Sequence, residues 1–150
     1  MRDTLTIGTI AGIIASAVMA CFTLIVRLLG FKFIATWETA AHIFLNWDLI
    51  HTPTGYIIGL LGQLILGAFF GVTVAYTLRL TGKDYYILKG IGVGALIWMG
   101  SIGFFMKLLH IAIQGRGDPV SNLLAIIQFH IMGVISAIII KKYAKFGVKR

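Results

Sequence analysis

Acidic residues are scarce in this chain, with five Asp and Glu against thirteen Lys and Arg in 150 residues and a formal net charge of +8. Asp3, Glu38, Asp48, Asp84 and Asp118 all fall outside the long apolar runs. That placement argues against an ion path built on an intramembrane carboxylate. Cys21 is the single cysteine, which excludes an intramolecular disulfide and a thiolate zinc cluster. Pro53 and Pro119 are the only prolines, and each stands just before an apolar run, where its missing N–H suits a helix start. No nucleotide loop, HExxH metal pair or other catalytic motif is present, so neither a metal nor a cofactor is expected and no enzymatic activity is predicted.

What is abundant is apolar. Hydrophobic residues make up 59% of the chain and charged residues only 12%, about half the charged share of a soluble domain. Four runs, at about residues 5–29, 56–80, 86–109 and 122–140, each approach or exceed the ~20 residues a spanning helix needs. None alternates with period two, which excludes a membrane barrel. The expectation is an all-α integral membrane protein, one four-helix transmembrane domain over residues 1–150. The run from Leu5 continues through Cys21 to Leu29, which suits a retained anchor better than a cleaved leader.

Basic residues set the predicted orientation. Arg2, Arg79, Lys83, Lys89, Lys141, Lys142, Lys145, Lys149 and Arg150 fall on one side, and Arg27, Lys32, Lys107 and Arg116 on the other, so both termini are expected in the cytoplasm. They flank spans without forming a basic module, so the partner is the bilayer and not nucleic acid.

The first outer connection, residues 30–54, is longer than a hairpin needs. Trp37, Ala40, Ala41, Phe44 and Leu45 recur with helical period, predicting a short amphipathic interfacial helix with Glu38, His42 and Asn46 on its wet face. Glu38, His42, His51 and His110 form a loose outer cluster, read as solvated loop residues in preference to a metal site.

Lipid removes the hydrophobic drive between helices, so close packing needs small residues. Gly8, Gly12, Ser16 and Ala20 recur at four-residue spacing in the first run, and Gly55, Gly59, Gln63, Gly67, Gly71 and Ala75 form a row in the second. Gly90 and Gly94 follow in the third, Gly133 and Ala137 in the fourth. An offset of eighty aligns Ile7 with Ile87, Gly12 with Gly92 and Arg27 with Lys107, the pattern of a duplicated hairpin.

His130 lies near the middle of the last run, where an ionisable group is a functional candidate. It shares a helical face with Gly133 and Ala137 and is expected to point into the bundle, bonded to a neighbour such as Ser101 or Gln63. Gln128 falls nearly opposite it, which requires either a surrounded fourth span or a second protomer, hence a homo-oligomer or larger membrane complex. The candidate intramembrane polar site is therefore His130, Gln63, Gln128 and Ser101.

Ile7-Gly-Thr-Ile-Ala-Gly-Ile-Ile-Ala-Ser16, Leu61-Gly-Gln-Leu-Ile-Leu-Gly-Ala-Phe-Phe-Gly71 and Leu88-Lys-Gly90 together resemble a family of small bacterial four-span membrane proteins of unknown function. The resemblance implies the four-span fold and a bacterial inner membrane, and transfers no site residue. A non-enzymatic accessory, regulatory or structural subunit is the leading expectation. A small oligomeric transporter or channel with His130 and Gln63 along its path is the alternative, and a haem or quinone protein using His130 is the third.

Overall fold

The computed structural model describes residues 3–31, 33–110 and 118–144. Arg2, Lys32, Arg116, Lys145, Lys149 and Arg150 lie outside the described residues. Four helices are long and apolar enough to cross a membrane: α1 (Thr4–Leu28), α3 (Pro53–Thr81), α4 (Tyr86–Leu108) and α5 (Pro119–Tyr143). A short α2 (Thr36–His42) and a 3-10 turn (Trp47–Leu49) lie between α1 and α3. No strand occurs among the described residues.

The helix starts follow from local chemistry. The Asp3 carboxylate accepts the Leu5 and Thr6 N–H groups, the Thr52 hydroxyl that of Gly55, and the Asp118 carboxylate that of Ser121. Pro53 and Pro119 occupy the first helical positions. The Thr6 hydroxyl and N–H hold the Asp3 carboxyl below its ordinary pKa, and the Ser121 hydroxyl and N–H do the same for Asp118. At the other end, the Lys89 ammonium donates to the Thr81 and Gly82 carbonyls at 2.9 Å, and the Lys83 ammonium to the Ala144 carbonyl. These lysines neutralise the negative helix ends of α3 and α5.

Two helix pairs organise the bundle, α1 with α3 and α4 with α5. The small-residue rows of α1 and α3 face one another. A Cβ added to Gly12 would sit 2.0 Å from the Gly67 carbonyl oxygen, and one on Gly71 would sit 2.2 Å from that of Gly8. In the second pair a Cβ on Gly133 would lie 2.1 Å from the Gly90 oxygen, and one on Gly94 2.5 Å from that of Phe129. Gly92, which the offset of eighty aligns with Gly12, meets nothing within 4 Å. The close approaches on α4 are made by Gly90 and Gly94, so an offset of eighty does not relate the two packing faces.

Two differences from the expected loop and packing bear on function. Glu38, placed on a wet face by the periodicity, is buried with its side chain 4% exposed. The reason is that α2 lies against α3, with the Trp37 carbonyl over Gly59 and Ala40 over Gly62, and its other side meets Arg27. The second difference is in α4. Beyond Trp98 it winds as a π-helix (Met99–Phe105) before a last α-turn, and nothing from Met99 to Leu108 is buried. A Cβ added to Gly100 or Gly103 there would meet nothing within 4 Å, and Ile102 packs against Val26, Phe33 and Ala125, so this half of α4 is only loosely packed on the bundle.

Gly12→Ala should lower stability by about 1–3 kcal/mol in SDS-titrated unfolding, because the two backbones must separate. Gly92→Ala, facing open space, should leave stability unchanged or raise it by up to about 1 kcal/mol. Equal effects would mean that the α1–α3 approach is not a stabilising contact.

Candidate functional site

The site begins with two polar side chains in otherwise apolar helices. Ser16 and Gln63 sit where the α1 and α3 rows cross, and each donates to the other's backbone. The Ser16 hydroxyl bonds the Gln63 carbonyl at 3.1 Å, and the Gln63 amide nitrogen bonds the Ser16 carbonyl at 3.0 Å. A carbonyl only accepts, which fixes the orientation of the Gln63 amide. Its oxygen, Oε1, is then left buried with no hydrogen-bond partner among the described residues.

Gln128 of α5 is 4% exposed. Its amide nitrogen donates to the Thr23 hydroxyl at 3.0 Å and to the Met19 carbonyl at 3.5 Å, and its oxygen accepts from the Thr36 hydroxyl at 3.5 Å. This one side chain ties α5 to α1 and to the start of α2.

Between these groups and the loosely packed half of α4 lies a cavity of about 540 Å³, within the usual 300–1,000 Å³ of small-molecule sites. Ser16 and Met19 of α1, Thr36 and Thr39 of α2, and Gln63, Leu66, Gly67, Phe69 and Phe70 of α3 form one side. Leu96, Ile97, Gly100, Ser101, Phe105 and Met106 of α4 with Gln128, Phe129 and Met132 of α5 form the other. Leu109 and Ile43 also contribute. Phe69 and Leu96 are both about 70% exposed, so the mouth has an apolar rim. A smaller void of about 70 Å³ adjoins it and shares Thr36, Thr39, Met106, Gln128 and Phe129. Among the described residues, no titratable side chain lines the larger cavity.

Of the four intramembrane candidates, the structure brings Gln63, Gln128 and Ser101 to this wall and leaves His130 off it. The His130 Nδ1 lies 2.6 Å from the Ile126 carbonyl of its own helix, rather than against Ser101 or Gln63. Its backbone packs at the α4–α5 seam near Gly94. The Ser101 hydroxyl donates to the Ile97 carbonyl at 2.6 Å, a back-bond on the turn that opens the π-helix. Since Gln128 faces α1 and α2 while His130 lies on the α4 side, the opposed pair is accommodated within one chain.

The outer cluster divides as well. The Arg27 guanidinium donates to the Phe33 carbonyl from Nε and Nη2, at 3.0 and 2.8 Å, and to the Glu38 carboxylate at 2.5 Å. The same carboxylate accepts the Ala35 N–H at 3.0 Å. His51 Nδ1 stands 3.9 Å from the other Glu38 oxygen. His42, Trp47, His51 and Tyr56 form a chain of ring contacts 5.2–6.5 Å apart, while His110 is exposed in a left-handed conformation after α4. No group of three or more His, Cys, Asp or Glu among the described residues is arranged to hold a metal.

Sequence reasoning missed the role of Thr23, Thr36 and Thr39, whose hydroxyls are ordinary in isolation and become informative only beside Gln128 and the cavity. It also missed the Arg27–Glu38 pair, eleven residues apart across a loop. Comparison with known protein families, curated proteins and solved structures gives no match, so function is argued from this geometry.

The Arg27–Glu38 pair should hold α2 in place. Glu38→Ala is expected to lower stability by about 1–3 kcal/mol, since it strands a guanidinium and the Ala35 N–H. Glu38→Gln keeps an acceptor and should cost less. A Glu38→Ala loss below about 0.5 kcal/mol in the same unfolding assay would show that the pair does not anchor the loop.

Proposed function

We propose that the chain is a non-enzymatic accessory protein of a bacterial inner membrane, with four spans, both termini cytoplasmic, and a cavity that receives a molecule from the lipid phase. The observation that carries the reading is the character of the wall, apolar side chains interrupted by amides and hydroxyls, with no titratable group among the described residues. General acid–base chemistry, and activation of the wall's Ser and Thr hydroxyls as nucleophiles, need a titratable group, which the described lining residues do not provide. An ion path needs charge or rings of carbonyls, and no charged side chain lines the cavity among the described residues.

The architecture supports retention of an apolar guest. α1 is about 38 Å long and α3 about 44 Å at 1.5 Å per residue, against a hydrocarbon core of about 30 Å. The exposed Phe69 of α3 and Leu96 of α4 rim the cavity beside the loosely packed half of α4, a lateral opening toward acyl chains. The α2 segment, held by Arg27 and Glu38, covers the outer side through Thr36, Thr39 and Ile43. Met19, Met106 and Met132 give the wall adaptable surface.

In proteoliposomes, a photoreactive sixteen-carbon hydrocarbon should label the half-buried lining residues Ile97 and Met132 several times more strongly than the exposed Ile57 and Leu88. Gly100→Phe, introduced where a side chain meets open space, should remove that preference. Uniform labelling of all four positions, unchanged in the variant, would reject the cavity as a binding site.

A further inference from the structure

At the end of the bundle that carries Asp3, lysines from separate segments converge on one turn, which membrane orientation by itself does not require. Lys89 of α4 reaches back over the α3–α4 turn and donates to the Thr81 and Gly82 carbonyls at 2.9 Å. Lys83, within that turn, donates to the Ala144 carbonyl and, at 3.4 Å, to that of Lys141. Lys141 of α5 holds its ammonium 4.0 Å from the ring centroid of Tyr86, the first residue of α4. Three ammonium groups therefore gather at residues 81–86. Lys142 is exposed beside them, its ammonium 5.4 Å from the Tyr143 ring.

Every Asp and Glu of the chain is a described residue, and the ion pairs they make with described cations are those of Glu38 with Arg27 and His51. The ammonium groups of Lys89, Lys141 and Lys142 thus have carbonyls and rings, not carboxylates, as close partners among the described residues. The carbonyl ends of α3 and α5 carry roughly half a negative charge each, and Asp84 adds one carboxylate, so the lysines leave the turn positive. Donors remain as well. An ammonium has three N–H groups, of which Lys89 commits two to carbonyls.

Apolar surface begins beside these cations. Leu80 and Leu88, next in sequence to Thr81 and Lys89, are 82% and 68% exposed. A soluble polyanion would match the charge and gain nothing from the leucines, whereas an amphiphile uses both. A zwitterionic headgroup brings its own cation to a site already rich in them, which supplies discrimination. On the four-span reading, and independently of the cavity, we infer that this turn seats the headgroup of an anionic phospholipid, its phosphate accepting from Lys89 and Lys141 and its acyl chains meeting the surface that begins at Leu80 and Leu88.

The test is the relative association of spin-labelled phosphatidylglycerol and phosphatidylcholine with the protein in phosphatidylcholine bilayers, read from the motionally restricted part of each spectrum. At low salt phosphatidylglycerol should associate about 2- to 5-fold more strongly, the upper figure being what one lysine near an anionic surface supplies. The advantage should shrink in about 1 M salt. Lys89→Gln combined with Lys141→Gln should bring it close to equality, while Lys107→Gln, exposed at the other end of α4, should leave it unchanged. Lys89 also caps α3, so Lys141→Gln combined with Lys142→Gln, both exposed, is a second neutralised variant that should lower the advantage. Equal association of the two lipids with the wild-type protein, or an advantage that Lys107→Gln lowers as much as the paired variants do, overturns the headgroup site. Absence of a restricted component with either lipid rejects the four-span reading instead.

Discussion

The backbone-to-backbone approach of α1 and α3 is the constraint from which the rest of the architecture follows. At Gly12, Gly67 and Gly71 there is no room for a single additional carbon. Two helices this close present their carbonyls to each other's side chains, and the Ser16–Gln63 exchange is the result. A polar pair that would be unfavourable against lipid becomes part of the seam. Because that pairing consumes the Gln63 nitrogen and not its oxygen, the seam also leaves a buried acceptor without a partner among the described residues.

The cavity itself arises from an asymmetry between the two helix pairs. α1 and α3 stay in contact along Gly8, Gly12, Ser16, Gly67 and Gly71, whereas α4 and α5 approach closely at Gly90, Gly94 and Gly133 and then diverge. The loosely packed part of α4 coincides with the π-helical turn at Met99–Phe105, which carries the Ser101 back-bond to the Ile97 carbonyl. Gln128 prevents α5 from following, since its amide is held by Thr23 and Met19 on α1. The space that opens is then bounded on its outer side by α2. That boundary rests on Arg27, whose guanidinium holds both the Phe33 carbonyl and the Glu38 carboxylate.

Much of this frame is written locally. Four apolar runs of sufficient length, prolines at two helix starts and small residues at four-residue spacing are properties of single segments, and the helices lie where those signals place them, to within about three residues. Which row meets which is a tertiary fact. Gly92 has the same local credentials as Gly94 and packs against nothing, because a helix face is chosen by its partner. The same holds for the site. Gln63 is conspicuous in a glycine row, but the freedom of its oxygen depends on Ser16, forty-seven residues away. His130 draws attention by its depth, yet a carbonyl one turn back on its own helix lies within hydrogen-bond distance of its ring. Glu38 looks like a solvated residue because nothing in the loop anticipates Arg27 folding over it.

The cavity depends most on α2 packing against α3 as one of its boundaries, at the opposite end of α1 from Asp3. Single cysteines at Ala40, Phe44 and Asp84, placed in a Cys21→Ala background, would be exposed on intact cells to a membrane-impermeant maleimide. Phe44→Cys should react and Ala40→Cys should not, since Phe44 is 70% exposed and Ala40 is fully buried against α3. Asp84→Cys should react only after the membrane is permeabilised. Ala40→Cys reacting as fast as Phe44→Cys, or Asp84→Cys reacting on intact cells, would contradict the account.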